Sequence, residues 1–309
     1  MTLSDKWHIG SCTKSMTAAL AAMLVEEGKL RWDTTLAEMF PQLASQMQIE
    51  WHDVTLVQLL AHRGGGPPDL EEDGLWGRLW GRVEKPPRQQ RAYLTRELLT
   101  KHKPVAAPGT RYVYSNAGYA LVGHAIEEKL DEPWEAVLRR RLFRPLGMSS
   151  AGFGAPATVG AVDQPWGHKV GDDGALVPVS PGLHADNPAA IGPGGTVHCT
   201  IGDLARYAAW QLRGARGQGS LLKPETFTRL HTPFAGDGDY ACGWVVTDRS
   251  WGGTVLTHNG SNTMFFAVMW IAPEKDFAVV VCTNLGGEGA EKAVDAAAGT
   301  LIRKHLSEQ

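Results

Sequence analysis

The apolar residues of this chain are spaced as in helices over its first two thirds and as in strands near its end. After Ser11 a stripe of apolar residues recurs at steps of three and four positions: Met16, Ala19, Leu20, Met23 and Leu24. Gly28 follows the stripe and is a typical helix stop. The pattern therefore predicts a buried helix that begins at Ser11.

Further helical patterns follow along the chain, at residues 32–40, 54–60, 117–130 and 201–212. The polar stretch that leads up to His102, with Trp76 and Trp80 in it, predicts short helices or a lid. Residues 145–193 are rich in Gly, Pro and Asp, which predicts long ordered loops over a cleft.

The end of the chain predicts an antiparallel meander followed by a helix. Its four β-branched or aromatic segments cover residues 243–247, 254–257, 265–271 and 277–283. Residues 290–306 then place Ala293, Ala297, Leu301 and Ile302 on one helix face that would pack on the sheet. We expect an α/β (α+β) fold in which an antiparallel sheet flanked by helices meets a mainly helical lobe at a cleft.

Composition and charge limit the classes of partner that the protein could have. The 309 residues are 43% hydrophobic and 20% charged, which is typical of a soluble globular protein of one or two domains. The formal net charge of −3 gives no basic field that would bind nucleic acid or a membrane surface. Since the chain has neither a run of roughly 20 apolar residues nor a signal-peptide pattern, a cytoplasmic site is expected. The four cysteines are scattered without metal-ligand spacing, so we expect free thiols.

A candidate nucleophile lies where the first helix begins. Ser11 and Lys14 stand one helical turn apart, so the amine can meet the hydroxyl and act as its base. The alternative is an N-cap serine beside a surface lysine. Ser220 and Lys223 have the same spacing, but Pro224 disfavours a helical conformation at Lys223, which makes that match a loop.

Two further motifs could complete a site. Tyr114 and Asn116 lie between a turn and a helix, where a phenol near the lysine ammonium would have its pKa lowered and could shuttle protons. A core tyrosine followed by a capping asparagine is the alternative. His258 and Gly260 end a predicted strand, and the N–H of Ser261 could share an oxyanion with that of Ser11.

Taken in this order, the motifs resemble those of the serine β-lactamase and penicillin-binding-protein superfamily. The likeness is to its class C-like branch, which includes family VIII carboxylesterases, D-aminopeptidases and DD-carboxypeptidases, and it runs nearly end to end. The segments that carry it are Ile9-Gly10-Ser11-Cys12-Thr13-Lys14, Leu59-Leu60-Ala61-His62, Pro108-Gly109-Thr110, Tyr114-Ser115-Asn116-Ala117-Gly118-Tyr119, Gly194-Gly195, Asp203-Leu204-Ala205-Arg206 and His258-Asn259-Gly260.

The resemblance implies a serine hydrolase with an acyl-enzyme on Ser11. Lys14 and Tyr114 would share the base and proton-return roles, and Asn116 would orient them. The N–H groups of Ser11 and Ser261 would form the oxyanion hole, and neither a metal nor a cofactor would be needed.

Substrate choice depends on His258, because class C β-lactamases usually carry a lysine there that holds a substrate carboxylate. A neutral histidine favours small-molecule esters, so we expect a carboxylesterase on short-chain esters with weak β-lactam hydrolysis. A β-lactamase, or an amide-cleaving DD-carboxypeptidase or D-aminopeptidase, is the alternative. A non-catalytic penicillin-binding-like module is the alternative of another class.

Only ten residues precede Ser11, whereas the relatives carry a helix and two strands there. We therefore expect an N-terminally shortened family member whose last strand, from Phe277 to Cys282, is an apolar edge covered by a homo-oligomer. Residues 1–309 would form one catalytic unit. Residues 30–235 would be its mainly helical lobe, and residues 1–29 with 236–309 would carry the nucleophile helix, the sheet and the last helix.

Overall fold

A computed structural model describes residues 1–234 and 238–306 of the chain. The boundary expected at 235/236 lies outside these residues, and the division into two lobes stays a prediction. The helices are α1 Thr13–Glu26, α2 Leu36–Met39, α3 Leu56–Leu60, α4 Leu75–Trp80, α5 Pro87–Lys101, α6 Asn116–Leu130, α7 Trp134–Leu138, α8 Gly192–Gly195, α9 Ile201–Ala215, α10 Pro224–Leu230 and α11 Glu288–Leu306.

Among the described residues, the strands form three antiparallel sheets. They are β1 Lys6–His8, β2 Gly152–Phe153, β3 Gly167–Val170, β4 Leu176–Val179, β5 Val197–Thr200, β6 Val245–Arg249, β7 Gly253–Ser261, β8 Phe266–Ala272 and β9 Phe277–Thr283. The largest sheet has the order β6-β7-β8-β9, with Val245 opposite Thr257, His258 opposite Met269 and Val268 opposite Val281. The predicted meander is therefore confirmed.

The two smaller sheets lie in segments that the sequence predicts as loops or for which it predicts no element. β1 pairs with β5, which places Lys6 opposite Thr200, and β2 pairs with the other edge of β5. β3 and β4 form a hairpin inside the segment predicted as long loops. Strands of two to four residues carry too few alternating positions to be recognised, and β1 finds its partner about 190 residues away in the sequence.

Helix α1 is the centre of the core. Every residue from Thr13 to Leu24 is buried, because the helix packs against α6, α8 and α10 around its circumference. Ser11, just before this buried helix, is itself only partly buried. Ser11 occupies the 3-10 turn Gly10–Cys12 that leads into α1, so the predicted helix start is confirmed to within two residues.

Helix α11 covers the outer face of the large sheet. The side chains that pack on Phe266 and Val268 are Ala290, Val294 and Ala298. Of the four residues predicted to face the sheet, only Ile302 is buried. Ala293, Ala297 and Leu301 are exposed, so the predicted face was wrong by one position. The reason is that Val294 and Ile302, two of the larger apolar side chains of the helix, lie on one stripe together with Ala290 and Ala298.

Candidate active site

Ser11 and Lys14 meet at the buried start of α1. Lys14 Nζ lies 3.1 Å from Ser11 Oγ, as the spacing predicts. The second match to the pattern has a different conformation. Leu221 has a left-handed backbone with φ of 67° and Lys223 is extended, so Ser220 and Lys223 do not share a helical turn.

Lys14 is held by two further oxygen atoms. Its Nζ lies 2.6 Å from Asn116 Oδ1 and 2.6 Å from the carbonyl oxygen of Gly194, which belongs to α8. Burial without a carboxylate partner disfavours the charged amine and lowers the pKa of Lys14 from 10.5 to about 7. A large fraction of the Lys14 side chains is therefore neutral near neutral pH.

Tyr114 completes a triangle with Ser11 and Lys14. Its hydroxyl lies 2.7 Å from Ser11 Oγ. The expectation that Lys14 lowers the pKa of Tyr114 was wrong in direction. Burial of the phenol raises its pKa above the usual range, and the hydrogen bond between Tyr114 and Ser11 offsets only part of that effect. Tyr114 is consequently a protonated donor at neutral pH.

The backbone between the nucleophile turn and β7 is packed without room for side chains. Gly10 has φ of 49°, and a Cβ atom there would overlap the backbone nitrogen of Ser261. A Cβ atom on Gly260 would likewise overlap the nitrogen of Ser11. The two N–H groups predicted to form an oxyanion hole are thus brought together at one junction, and the glycines make this approach possible.

His258 lies beside the triangle and is neutral. Its Nδ1 contacts the carbonyl oxygen of Asn259, which can only accept, so Nδ1 carries the proton. Nε2 is therefore an acceptor, and the hydroxyl of Tyr240 lies 2.9 Å from it. Burial, with a smaller contribution from Lys14, lowers the pKa of His258 to about 4.

Two cavities are lined by residues of the candidate site. The cavity beside Asn116 and Ser261 has about 270 Å³ and is lined in addition by Leu70, Trp76, Ile191, Asp69 and Glu71. The cavity beside Tyr114 and His258 has about 740 Å³. Its charged lining residues are Glu288, Glu291, Asp295 and Lys292. Lys292 is 2.6 Å from Glu288, so acidic charge prevails in this larger cavity.

Three supporting residues were not assigned roles from the sequence: Gly194, His62 and Tyr240. His62 packs against Tyr114 with ring centroids 4.3 Å apart, and its Nδ1 accepts from the N–H of Ser115 at 3.1 Å. Gly194 and His62 belong to segments that carry the family resemblance, which was a usable signal. Tyr240 forms an isolated β-bridge with Val245 and carries no local sequence pattern, so only the folded structure reveals its role.

Comparisons with known proteins decide the family. The Beta-lactamase family model matches residues 1–304. The chain belongs to the beta-lactamase family. Penicillin-binding protein 4 of Amycolatopsis lactamdurans is 27% identical over 93% of this chain and 74% of its own length. The chain spans about half the length of several other curated relatives.

Solved beta-lactamase-like structures confirm the predicted fold. An octameric penicillin-binding protein homologue from Pyrococcus abyssi superposes with a TM-score of 0.76 at 24% identity, over 99% of this chain and 68% of the other. A D-stereospecific amidohydrolase from Streptomyces sp. gives a TM-score of 0.75 at 21% identity, over 95% and 86% of the two chains.

The cysteines of this beta-lactamase family member lie apart from the chemistry. All four are free, and the Sγ atom of Cys12 faces the carbonyl oxygen of His258, not Ser11. Burial raises the pKa of the Cys12 thiol far above its usual range.

Within residues 1–234 and 238–306, there is no group of three or more His, Cys, Asp or Glu side chains that could hold a metal ion. Across the same residues, every helix is too short or too polar to span a bilayer.

Proposed function

We propose that this protein is a serine carboxylesterase that cleaves short-chain esters through an acyl-enzyme on Ser11. The observation that carries the proposal is the neutral His258, whose two ring nitrogens are both occupied by Asn259 and Tyr240. A permanent cation that would hold a substrate carboxylate is thus absent from that position. Uncharged esters need no such anchor.

Lys14 would be the base for acylation. A neutral amine has two N–H bonds and one lone pair, and Asn116 Oδ1 and the Gly194 carbonyl accept the two N–H bonds. The lone pair then faces Ser11 Oγ, which can lose its proton to Lys14 as it attacks the ester carbonyl. The N–H groups of Ser11 and Ser261 would stabilise the oxyanion.

Tyr114 would return the proton to the leaving alkoxide. Since its phenol stays protonated and lies 2.7 Å from Ser11 Oγ, it can donate to the departing oxygen. It would then take up the proton that Lys14 removed from Ser11, since Lys14 Nζ lies 4.7 Å from the centroid of the Tyr114 ring. The C–O bond of the ester breaks at this step and leaves the acyl group on Ser11. Water then attacks the acyl-enzyme with the same residues in reversed roles.

The two cavities support the preference for neutral esters. The smaller one, with Leu70, Trp76 and Ile191, suits a short acyl chain. The larger one carries Glu288, Glu291 and Asp295, which would repel the carboxylate of a penicillin or cephalosporin. A neutral alcohol leaving group meets no such repulsion.

Labelling with a fluorophosphonate probe tests the nucleophile. Ser11→Ala should abolish labelling, whereas Ser220→Ala, the matched serine of the other S-x-x-K match, should leave it unchanged. Nitrophenyl butyrate should then be hydrolysed faster than a chromogenic cephalosporin. Labelling that survives Ser11→Ala would overturn the site, faster cephalosporin turnover would overturn the substrate class, and a fully inert protein would indicate a non-catalytic module.

Hydrolysis of D-amino-acyl amides is the second candidate. Asp69 and Glu71 line the smaller cavity, where they could attract the ammonium group of an amino-acyl substrate. A structural neighbour is named as a D-stereospecific amidohydrolase. Faster hydrolysis of D-leucine nitroanilide than of its L isomer and of nitrophenyl butyrate would favour this candidate, and loss of that preference in Asp69→Asn with Glu71→Gln would assign it to the two carboxylates.

We also propose that a second copy of the chain covers strand β9. Phe277–Thr283 is the last strand in the order of the large sheet, so its outer backbone groups are open to pairing. An octameric homologue shares the fold. Light scattering should give a mass above 33.4 kDa that falls in Val281→Pro, and a monodisperse wild-type monomer would contradict the proposal.

A further inference from the structure

A buried hydrogen-bond chain lies behind the proposed oxyanion hole. His8, at the end of β1, is 0% exposed, and Asp186 is 7% exposed. His8 Nε2 lies 2.7 Å from Asp186 Oδ2, and His8 Nδ1 lies 3.1 Å from the backbone nitrogen of Gly10. The chain of contacts therefore reaches the residue that precedes Ser11.

The protonation of His8 follows from its partners. The N–H of Gly10 can only donate, so Nδ1 is the acceptor and the imidazole is neutral with its proton on Nε2. Nε2–H donates to the carboxylate of Asp186. This arrangement fixes the ring orientation, and through it the direction of the Gly10 peptide that leads into Ser11.

The other oxygen of Asp186 faces the end of β7. Asp186 Oδ1 accepts from the N–H of Asn187 at 2.8 Å and lies 3.4 Å from Asn262 Nδ2. Asn262 is 2% exposed, and its Oδ1 accepts from the N–H groups of Met264 and Phe265 at 3.2 and 3.0 Å. Asn262 thereby holds the turn that directly follows Ser261.

We infer that Asp186 is a positioning residue that sets the geometry of the oxyanion hole by linking its two halves, an inference that rests on the proposed acyl-enzyme chemistry at Ser11. One carboxylate oxygen fixes the Gly10–Ser11 side through His8, and the other fixes the Ser261 side through Asn262. Asp186 touches neither Ser11 nor Ser261, so it acts on the N–H groups only through these two side chains. Donors that must meet a developing oxyanion are effective only when held in place before the reaction, and a shift of about 1 Å costs roughly a hundredfold in rate.

The experiment compares Asp186→Ala and Asp186→Asn with Asp203→Asn. An asparagine at 186 can accept from His8 or from the Asn262 side, but it cannot do both because its second position is an amide NH2. Asp203 is an equally buried carboxylate that accepts from Ser150 and Arg206 at the start of α9, away from Ser11. It therefore controls for the loss of a buried charge as such.

Three quantities are measured for each variant: kcat and KM for nitrophenyl butyrate, and the dissociation constant of an alkyl boronic acid. The boronic acid forms a tetrahedral anion on a nucleophilic serine and so reports on the oxyanion hole in a way that ground-state binding does not. Titration of reactive Ser11 with the fluorophosphonate probe normalises kcat to folded protein. Melting temperature is recorded alongside.

We expect both Asp186 variants to lower kcat and boronic acid affinity in parallel by roughly 10-fold to 100-fold with KM within about threefold of wild type. Asp203→Asn should lower the melting temperature without changing the normalised kcat. His8→Asn, whose amide oxygen can accept from Gly10 in place of Nδ1, should retain more activity than His8→Ala.

Unchanged kcat and boronic acid affinity in both Asp186 variants would overturn the inference, as would equal kcat losses in Asp186→Asn and Asp203→Asn. These outcomes are distinct from failure of the proposed function, which would show as an inert wild-type protein or as ester hydrolysis that survives Ser11→Ala in the otherwise unaltered protein, and which would overturn this inference as well. If Asp186→Ala does not fold, Asp186→Asn and the His8 pair still decide the question.

Discussion

The amine of Lys14 lies 3.1 Å from the hydroxyl of Ser11, while its two shorter hydrogen bonds, of 2.6 Å each, run to Asn116 and Gly194. The two shorter bonds determine which way the lone pair of a neutral Lys14 points. The pKa of Lys14 and the direction of its lone pair therefore have different origins. Burial lowers the pKa, and two oxygen atoms from other elements aim the nitrogen.

Replacing Asn116 with Asp should move the pH dependence of catalysis. In the wild-type protein we expect kcat/KM to rise with pH through about 7, because Lys14 with a pKa of about 7 must lose its proton to act as base. A carboxylate 2.6 Å from Nζ favours the ammonium form. It should therefore move this rising limb of the pH profile to a higher pH by about one unit or more. The measurement is kcat/KM for nitrophenyl butyrate between pH 5 and 9.5.

Asn259→Asp is the matched control for that experiment, since it adds the same charge on an exposed residue of β7 that does not contact Lys14. It should leave the limb near its wild-type position. An equal shift in both variants, or a limb that stays put in Asn116→Asp, would contradict the assignment of the limb to Lys14.

Lys14 should also give the protein a measurable pH dependence of stability. Its pKa is about 7 in the folded state and near 10.5 in the unfolded chain. Between these values unfolding takes up a proton, so raising the pH stabilises the folded state. The free energy of unfolding of wild type relative to Lys14→Met should therefore rise by about 1.4 kcal/mol per pH unit between pH 8 and 9.5. Urea denaturation at several pH values measures this, and a constant difference would refute it.

The sequence contains most of the information about which residues form the site. Ser11 and Lys14 are neighbours on one turn, so their contact follows from helix geometry alone. Tyr114 and His258 lie about 100 and 250 positions away, and only the family resemblance, not periodicity, indicates that they meet Ser11. Their actual contacts depend on how α1, α6 and β7 pack.

What the sequence does not predict is mostly electrostatic. The expected lowering of the Tyr114 pKa rested on the positive charge of Lys14 alone, whereas both groups are buried and the cost of burying charge dominates. The hydrogen-bond chain from His8 through Asp186 to Asn262 could not be predicted from the sequence for another reason. It joins three segments that are remote in sequence, and His8 gives no local signal beyond an H-x-G pattern that recurs elsewhere in the chain.

Tyr114→Phe should lower kcat by about a hundredfold to ten-thousandfold, the usual worth of a general acid or base. KM should change little, because the ring and its packing against His62 remain. Tyr112→Phe is the control, since Tyr112 stacks edge-on to His62 but makes no hydrogen bond to Ser11. Burial keeps the Tyr114 phenol protonated, so the wild-type profile should also lack an alkaline limb below about pH 9.5. Equal losses in the two variants would show that packing, not the hydroxyl of Tyr114, matters.

Replacing His258 with lysine should shift the substrate preference from esters towards β-lactams. Lysine at this position would place an ammonium group at the larger cavity, where a charge-assisted hydrogen bond to a substrate carboxylate is worth about 1.5–3 kcal/mol, or roughly 10-fold to 100-fold. We expect His258→Lys to raise the ratio of cephalosporin to nitrophenyl butyrate kcat/KM by about tenfold, and a further Glu291→Gln to raise it again by removing a nearby negative charge. His258→Gln, which is polar but neutral, should leave the ratio near that of wild type. If His258→Gln and His258→Lys change the ratio equally, the charge at this position does not control the choice of substrate.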